Sequence, residues 1–75
     1  MLAYVLIGLL GNDEQQVLDE LLDHKEIIEA HILFGEWDIL AKIEAKTAED
    51  AGTFVMDNIR SLPEVKISST LIVAK

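Results

Sequence analysis

An α+β fold in βαββαβ order, a four-stranded antiparallel sheet with two helices on one face, is predicted by three observations. The hydrophobic period switches from strand-like to helix-like and back through six successive segments. The two halves of the chain share one strand–helix–strand plan and are similar in length. Hydrophobic residues make up 51% of only 75 positions, and several strands carry large apolar side chains at both parities. This is the split βαβ, or ferredoxin-like, arrangement. Right-handed crossovers place both helices on the same face of the sheet.

The first segment, Leu2 to Leu10, is an almost continuous run of apolar and β-prone residues, which suits a strand covered on both faces. Gly11 and Asn12 end it. Asn12 is read as a helix N-cap, with Gln15 at the capping-box position. Asp13 and Glu14 then sit in the first turn, where the helix dipole favours negative charge. Val17, Leu18, Leu21 and Leu22 recur at helical spacing, and Asp19, Glu20 and Asp23 fall opposite.

Glu26 to Phe34 reads as the second strand. Gly35-Glu36 suits a two-residue hairpin turn, because glycine can take a positive φ angle. Trp37, Ile39, Ala41, Ile43 and Ala45 then alternate with polar or outward positions, which predicts a strand antiparallel to the one before. Thr47 is the second N-cap, with Asp50 at the capping-box place. Ala51, Phe54, Val55, Ile59 and Leu62 form the stripe of the second helix, and Pro63 stops it. Val65 to Lys75 is the last strand, interrupted by Ser68, Ser69 and Thr70.

The chain reads as one domain over residues 1–75. A domain of this size buries only about 60% of the surface its unfolded chain exposes. With helices on one sheet face, the other face is an apolar patch larger than a monomer usually exposes. Stacking two sheets face to face covers it, so a homodimer is expected.

Composition narrows the function. There are 14 acidic and 6 basic residues, a net charge of −8. Phosphate neutralisation supplies most nucleic-acid affinity, so direct DNA or RNA binding is not expected. Acidic charge also discourages anionic membranes. The apolar N-terminus is far short of the roughly 20 residues of a membrane-spanning helix. It has no basic lead and no cleavage site, so a cytoplasmic location follows by default. There is no cysteine for a disulfide, a nucleophile or a thiolate metal site.

Chemistry-bearing residues are few. His24 ends the first helix, where a cation meets the dipole favourably. His31 faces the same way as Glu29, but two ligands at Glu-x-His spacing fall short of a metal motif. Gly8 and Gly11 lack the lysine of a phosphate loop, and Gly8 suits close packing inside a strand. No cofactor is implied. Two features remain. The turn Gly35-Glu36-Trp37-Asp38 is read either as a plain hairpin or as a site. As a site, free backbone N–H groups would take a carboxylate and Asp38 an ammonium group, a fit for a free amino acid. The hydroxyls of Ser68, Ser69 and Thr70 either bond across the sheet or line a pocket or subunit seam.

The stretch LFGEWDILAKIEAKTAED resembles the G-x-Y-D-L-L-L-x-V signature of the RAM domain, the effector-binding half of Lrp/AsnC transcription regulators. FVMDNIRSLPEVKISSTLIVAK resembles the end of that domain, with its L-P-G-V and T-x-T-x-I-V pattern, and AYVLIGL agrees in layout. The resemblance covers essentially the whole chain. It implies dimerisation through the sheets, assembly of dimers into rings, and amino-acid ligands bound between subunits. By position it places the family's turn glycine on Gly35, its aromatic on Trp37 and its acid on Asp38, with the threonine pair falling on Ser68 and Thr70; Glu36 completes the candidate ligand-binding turn. Trp37 replaces the usual Tyr, and Glu64 replaces the Gly that follows Pro. The family's helix-turn-helix is not among these residues. The expectation is therefore a stand-alone domain that reaches transcription through partners such as full-length Lrp/AsnC regulators. Two rivals stand beside it: a small dimeric α/β-barrel enzyme using His31 or Asp38, and a structural adaptor without ligand.

Overall fold

The computed structural model describes residues 1–75. Its elements are β1 (Leu2–Leu9), α1 (Glu14–Leu22), β2 (Ile27–Ile32), β3 (Ile39–Glu44), α2 (Ala48–Asn58) and β4 (Val65–Ile72). The strands lie in the order β2-β3-β1-β4, and every neighbouring pair is antiparallel. The expected βαββαβ sheet is therefore present.

Side-chain period assigns the two faces. Ala3, Val5 and Ile7 of β1 pair with Ile43, Ala41 and Ile39 of β3, and all six are buried. They meet Val17 and Leu21 of α1 and Ala51, Phe54 and Val55 of α2 in one core, joined by Ile59. The neighbours of opposite parity, Tyr4, Leu6, Leu40 and Lys42, lie on the face without helices and keep partial exposure. At a typical strand such alternation marks one covered and one open face.

The helix starts differ in kind. Thr47 caps α2 as expected, its Oγ1 accepting the Asp50 N–H at 3.0 Å. Asn12 does not cap α1. The N-cap is Asp13, which makes no side-chain cap hydrogen bond. Gln15 uses its amide on Asp19 one turn later, at 3.0 Å, instead of reaching back. His24 lies just past α1 and stands edge-on to Phe54, ring centres 5.4 Å apart.

The β2–β3 connection is longer than a two-residue hairpin. Leu33 N–H donates to Asp38 O at 2.8 Å, leaving Phe34 to Trp37 as a four-residue loop. Asp38 is pulled toward β1, where its N–H donates to Ile7 O at 2.9 Å. The chain thus joins the β2–β3 ladder only at Ile39. Gly35 does take a positive φ, +154°, a region open to glycine. β4 also ends earlier than expected, at Ile72.

Candidate functional site

Two separate places hold the residues singled out in the sequence. The first is the loop at the shared end of β1, β2 and β3. The Asp38 carboxylate accepts the Leu9 N–H through Oδ2 at 2.7 Å. This bond falls where β1 shifts register against β4, between Gly8 and Leu9. A shift of that kind leaves a ladder N–H without its strand partner, and Asp38 supplies one. Its other oxygen, Oδ1, remains for a further donor. Trp37 lies beside Gly8: a Cβ added there would come 2.8 Å from Ile67 Cγ2 and 4.0 Å from Trp37 Cε3. Gly8 thus gives Trp37 and Ile67 room to close over β1 on the open face. Phe34 and Glu36 point away from the body, and Phe34 is fully exposed at 105%.

The second place is a groove of about 540 Å³ between α2 and β4. Ser68 and Thr70 form its floor. They pair with Ile7 and Val5, so they lie on the helix-facing side of β4. Because β4 is an edge strand and α2 covers the sheet centre, this side of β4 is roofed only in part. The wall comes from Glu49, Gly52, Thr53, Met56 and Arg60 of α2 and the turn after it. A Cβ added at Gly52 would meet nothing within 4 Å, so the groove is open there. Its size lies in the range of roughly 300–1,000 Å³ common for small-molecule sites. It offers hydroxyls, one guanidinium, one carboxylate and a thioether, a set able to hold a small zwitterion with a short side chain.

The fold does not join the two places within one chain. β3 and β4 flank β1, so their axes are about 10 Å apart at ordinary strand spacing, and Trp37 and Ser68 serve opposite faces. The wall residues on α2 carry no motif that marks them in the sequence. Glu49, Thr53, Met56 and Arg60 follow helical spacing beside the core stripe, and Arg60 is the chain's one arginine. That spacing was the available signal.

The open face is uneven. Its β1–β4 half carries Tyr4, Leu6, Ile67 and Leu71, with Ile67 and Leu71 about half exposed. Its β2–β3 half carries charge: Glu29 lies 3.5 Å from His31 and 3.9 Å from Lys42. No third His, Cys, Asp or Glu gathers with the Glu29–His31 pair. A smaller hollow of about 330 Å³ lies among Glu26, Glu44, Lys46, Asp50 and Phe54. No helix is long and apolar enough to cross a membrane.

Comparison with known proteins agrees with this architecture. Residues 2–75 match the family described as the Lrp/AsnC ligand binding domain. The HTH-type transcriptional regulator FL11 of Pyrococcus abyssi is 35% identical over 75 residues, all of this chain and 49% of that protein. The chain thus spans about half the length of the curated relatives it matches. The crystal structure of FFRP-DM1 superposes with a TM-score of 0.91 at 33% identity, covering 96% of each chain. A transcriptional regulator of Neisseria meningitidis, solved as an L-Met complex, shares the fold with a TM-score of 0.86 at 20% identity. The match covers 99% of this chain and 49% of that one.

Proposed function

The chain belongs to the Lrp/AsnC ligand-binding domain family, and on that premise we propose that it is an amino-acid-sensing and oligomerisation module of transcription control. The observation that carries the reading is the α2–β4 groove, with Ser68 and Thr70 on its floor and Arg60 and Glu49 on its wall. Arg60 suits an α-carboxylate, because a guanidinium pairs with it in two parallel hydrogen bonds. Ser68, Thr70 and Glu49 suit an ammonium group, and Met56 suits a short apolar side chain. That a regulator of the same fold was crystallised with L-Met supports an amino acid as the ligand class. Gly35, Glu36, Trp37 and Asp38 stand apart from this groove within one chain, so in this reading their ligand contacts come from a second copy.

The module works without catalysis. Of the residues an enzyme reading requires, His31 lines neither hollow, and the Asp38 carboxylate is engaged by the Leu9 N–H. Its partner is a second copy, stacked through the apolar half of the open face, since Tyr4, Leu6, Ile67 and Leu71 need cover. DNA contact belongs to regulators of the same family with which it assembles in the cytoplasm. The acidic net charge supports leaving nucleic acid to them.

A thermal-shift screen against the common amino acids tests this. A ligand at a hundred times its Kd adds about 2.7 kcal/mol per site. One or a few amino acids should raise the melting temperature, and Ser68→Ala with Thr70→Val should remove the shift while the protein stays folded. A flat screen on folded protein would count against sensing.

A further inference from the structure

The oxidisable sulfur of this chain is confined to two methionines, because it has no cysteine. Met1 is 47% exposed and Met56 62%. Met56 stands on the α2 wall of the groove, one helical turn after Gly52. A helical side chain leans toward the N-terminus, over the residue four places before it. For Met56 that residue is Gly52, where an added Cβ would meet nothing within 4 Å. Glycine is among the poorest formers of a helix interior, and at this position it clears the approach to the Met56 thioether. Arg60 lines the same groove one turn further on, and its guanidinium enters no ion pair within the chain.

We infer that Met56 is an oxidation site for peroxides, and that its sulfoxide closes the groove by holding Arg60. A lone pair of the Met56 sulfur attacks one oxygen of hydrogen peroxide, and the O–O bond breaks. The transferred oxygen gives up its proton to the departing hydroxide, which leaves as water. Sulfur is oxidised by two electrons and the peroxide is reduced by two. A groove wide enough for an amino acid admits a peroxide, which is smaller. The product is polar and chiral where the thioether was apolar and flexible. Residues four apart on a helix are neighbours. The sulfoxide oxygen accepts hydrogen bonds and the guanidinium is a donor-only group, so the two pair. Met56 then offers no apolar surface, and Arg60 is withdrawn from an incoming carboxylate. That last effect rests on the amino-acid reading of the groove, whereas the oxidation and the Arg60 contact do not. The change is reversible, since methionine sulfoxide reductases return the thioether.

Peptide mass spectrometry after graded hydrogen peroxide treatment tests the site without any amino acid present. Met56 should gain one oxygen at least as readily as Met1. Gly52→Leu places a side chain over the sulfur, and its Cβ meets no other atom within 4 Å. It should leave Met56 largely unconverted at a dose that oxidises the parent, with Met1 oxidised as before. In isotope-labelled protein the Arg60 side-chain N–H signal should move on oxidation and return after treatment with a sulfoxide reductase and dithiothreitol. In Met56→Leu the same signal should not respond to peroxide. Amino-acid binding should weaken about tenfold or more on oxidation, the worth of a hydrogen bond to a charged group. Met56 that resists while Met1 converts would overturn the site. An Arg60 signal unmoved by complete oxidation, or binding of undiminished strength, would overturn the closure. A flat amino-acid screen would sink sensing and leave the oxidation and the Arg60 contact standing.

Discussion

Asp38 and Leu9, 29 residues apart, are joined by a 2.7 Å hydrogen bond from the Leu9 N–H to the Asp38 carboxylate. The bond sits where β1 loses register with β4. Asp38→Ala leaves the Leu9 N–H without a partner, and bonds to charged groups are worth roughly 1.5–3 kcal/mol. Urea denaturation should show a loss of that order. Asp38→Asn keeps an acceptor and should lose clearly less. This structural role means that ligand-binding tests at Asp38 need the asparagine variant beside the alanine one.

Gly8 and Ile67 should couple. A Cβ at position 8 would lie 2.8 Å from Ile67 Cγ2, so Gly8→Ala forces that methyl to move. We expect a loss of about 1 kcal/mol, in the range of mild overpacking. Ile67→Ala should relieve most of it. A double-mutant cycle by thermal melting measures the coupling, and additive effects would refute the close approach.

The two helix starts should respond unequally. Thr47→Ala removes a side-chain cap and should cost about 1 kcal/mol. Asn12→Ala removes none, because the N-cap position of α1 is Asp13. It should stay within about 0.5 kcal/mol of the parent, as surface changes do. Chemical denaturation of both variants decides the matter.

Stacking of two copies should depend on one half of the open face. Leu71→Glu places a charge among Tyr4, Leu6 and Ile67 and should shift the protein to monomer by light scattering. His31→Ala alters the charged half and should leave the pair intact. The opposite ranking would move the interface to β2 and β3.

Most of the architecture was legible in the sequence because it rests on period and punctuation. The alternation of Ile39, Ala41 and Ile43 announced β3, and Thr47 with Asp50 announced the start of α2. The misreadings fall where another contact, distant in one case and one helical turn away in the other, outweighs the motif. Gly35-Glu36 looks like a two-residue turn until β1 draws Asp38 aside and opens the loop to four residues. Asn12 and Gln15 look like a capping box until Gln15 finds Asp19. Ser68 and Thr70 were visible as hydroxyls in an apolar strand. Their groove was not, because its wall is the exposed side of α2, whose position over the sheet depends on tertiary packing alone.

The proposed function requires a free amino acid to bind in the α2–β4 groove. Titrating amino acids into isotope-labelled protein while recording amide NMR shifts tests it most directly. Saturable shifts are expected for one or a few amino acids, centred on Thr53, Met56, Arg60, Ser68 and Thr70. Saturable shifts elsewhere with these amides unmoved, or no shifts for any amino acid on folded protein, would contradict it.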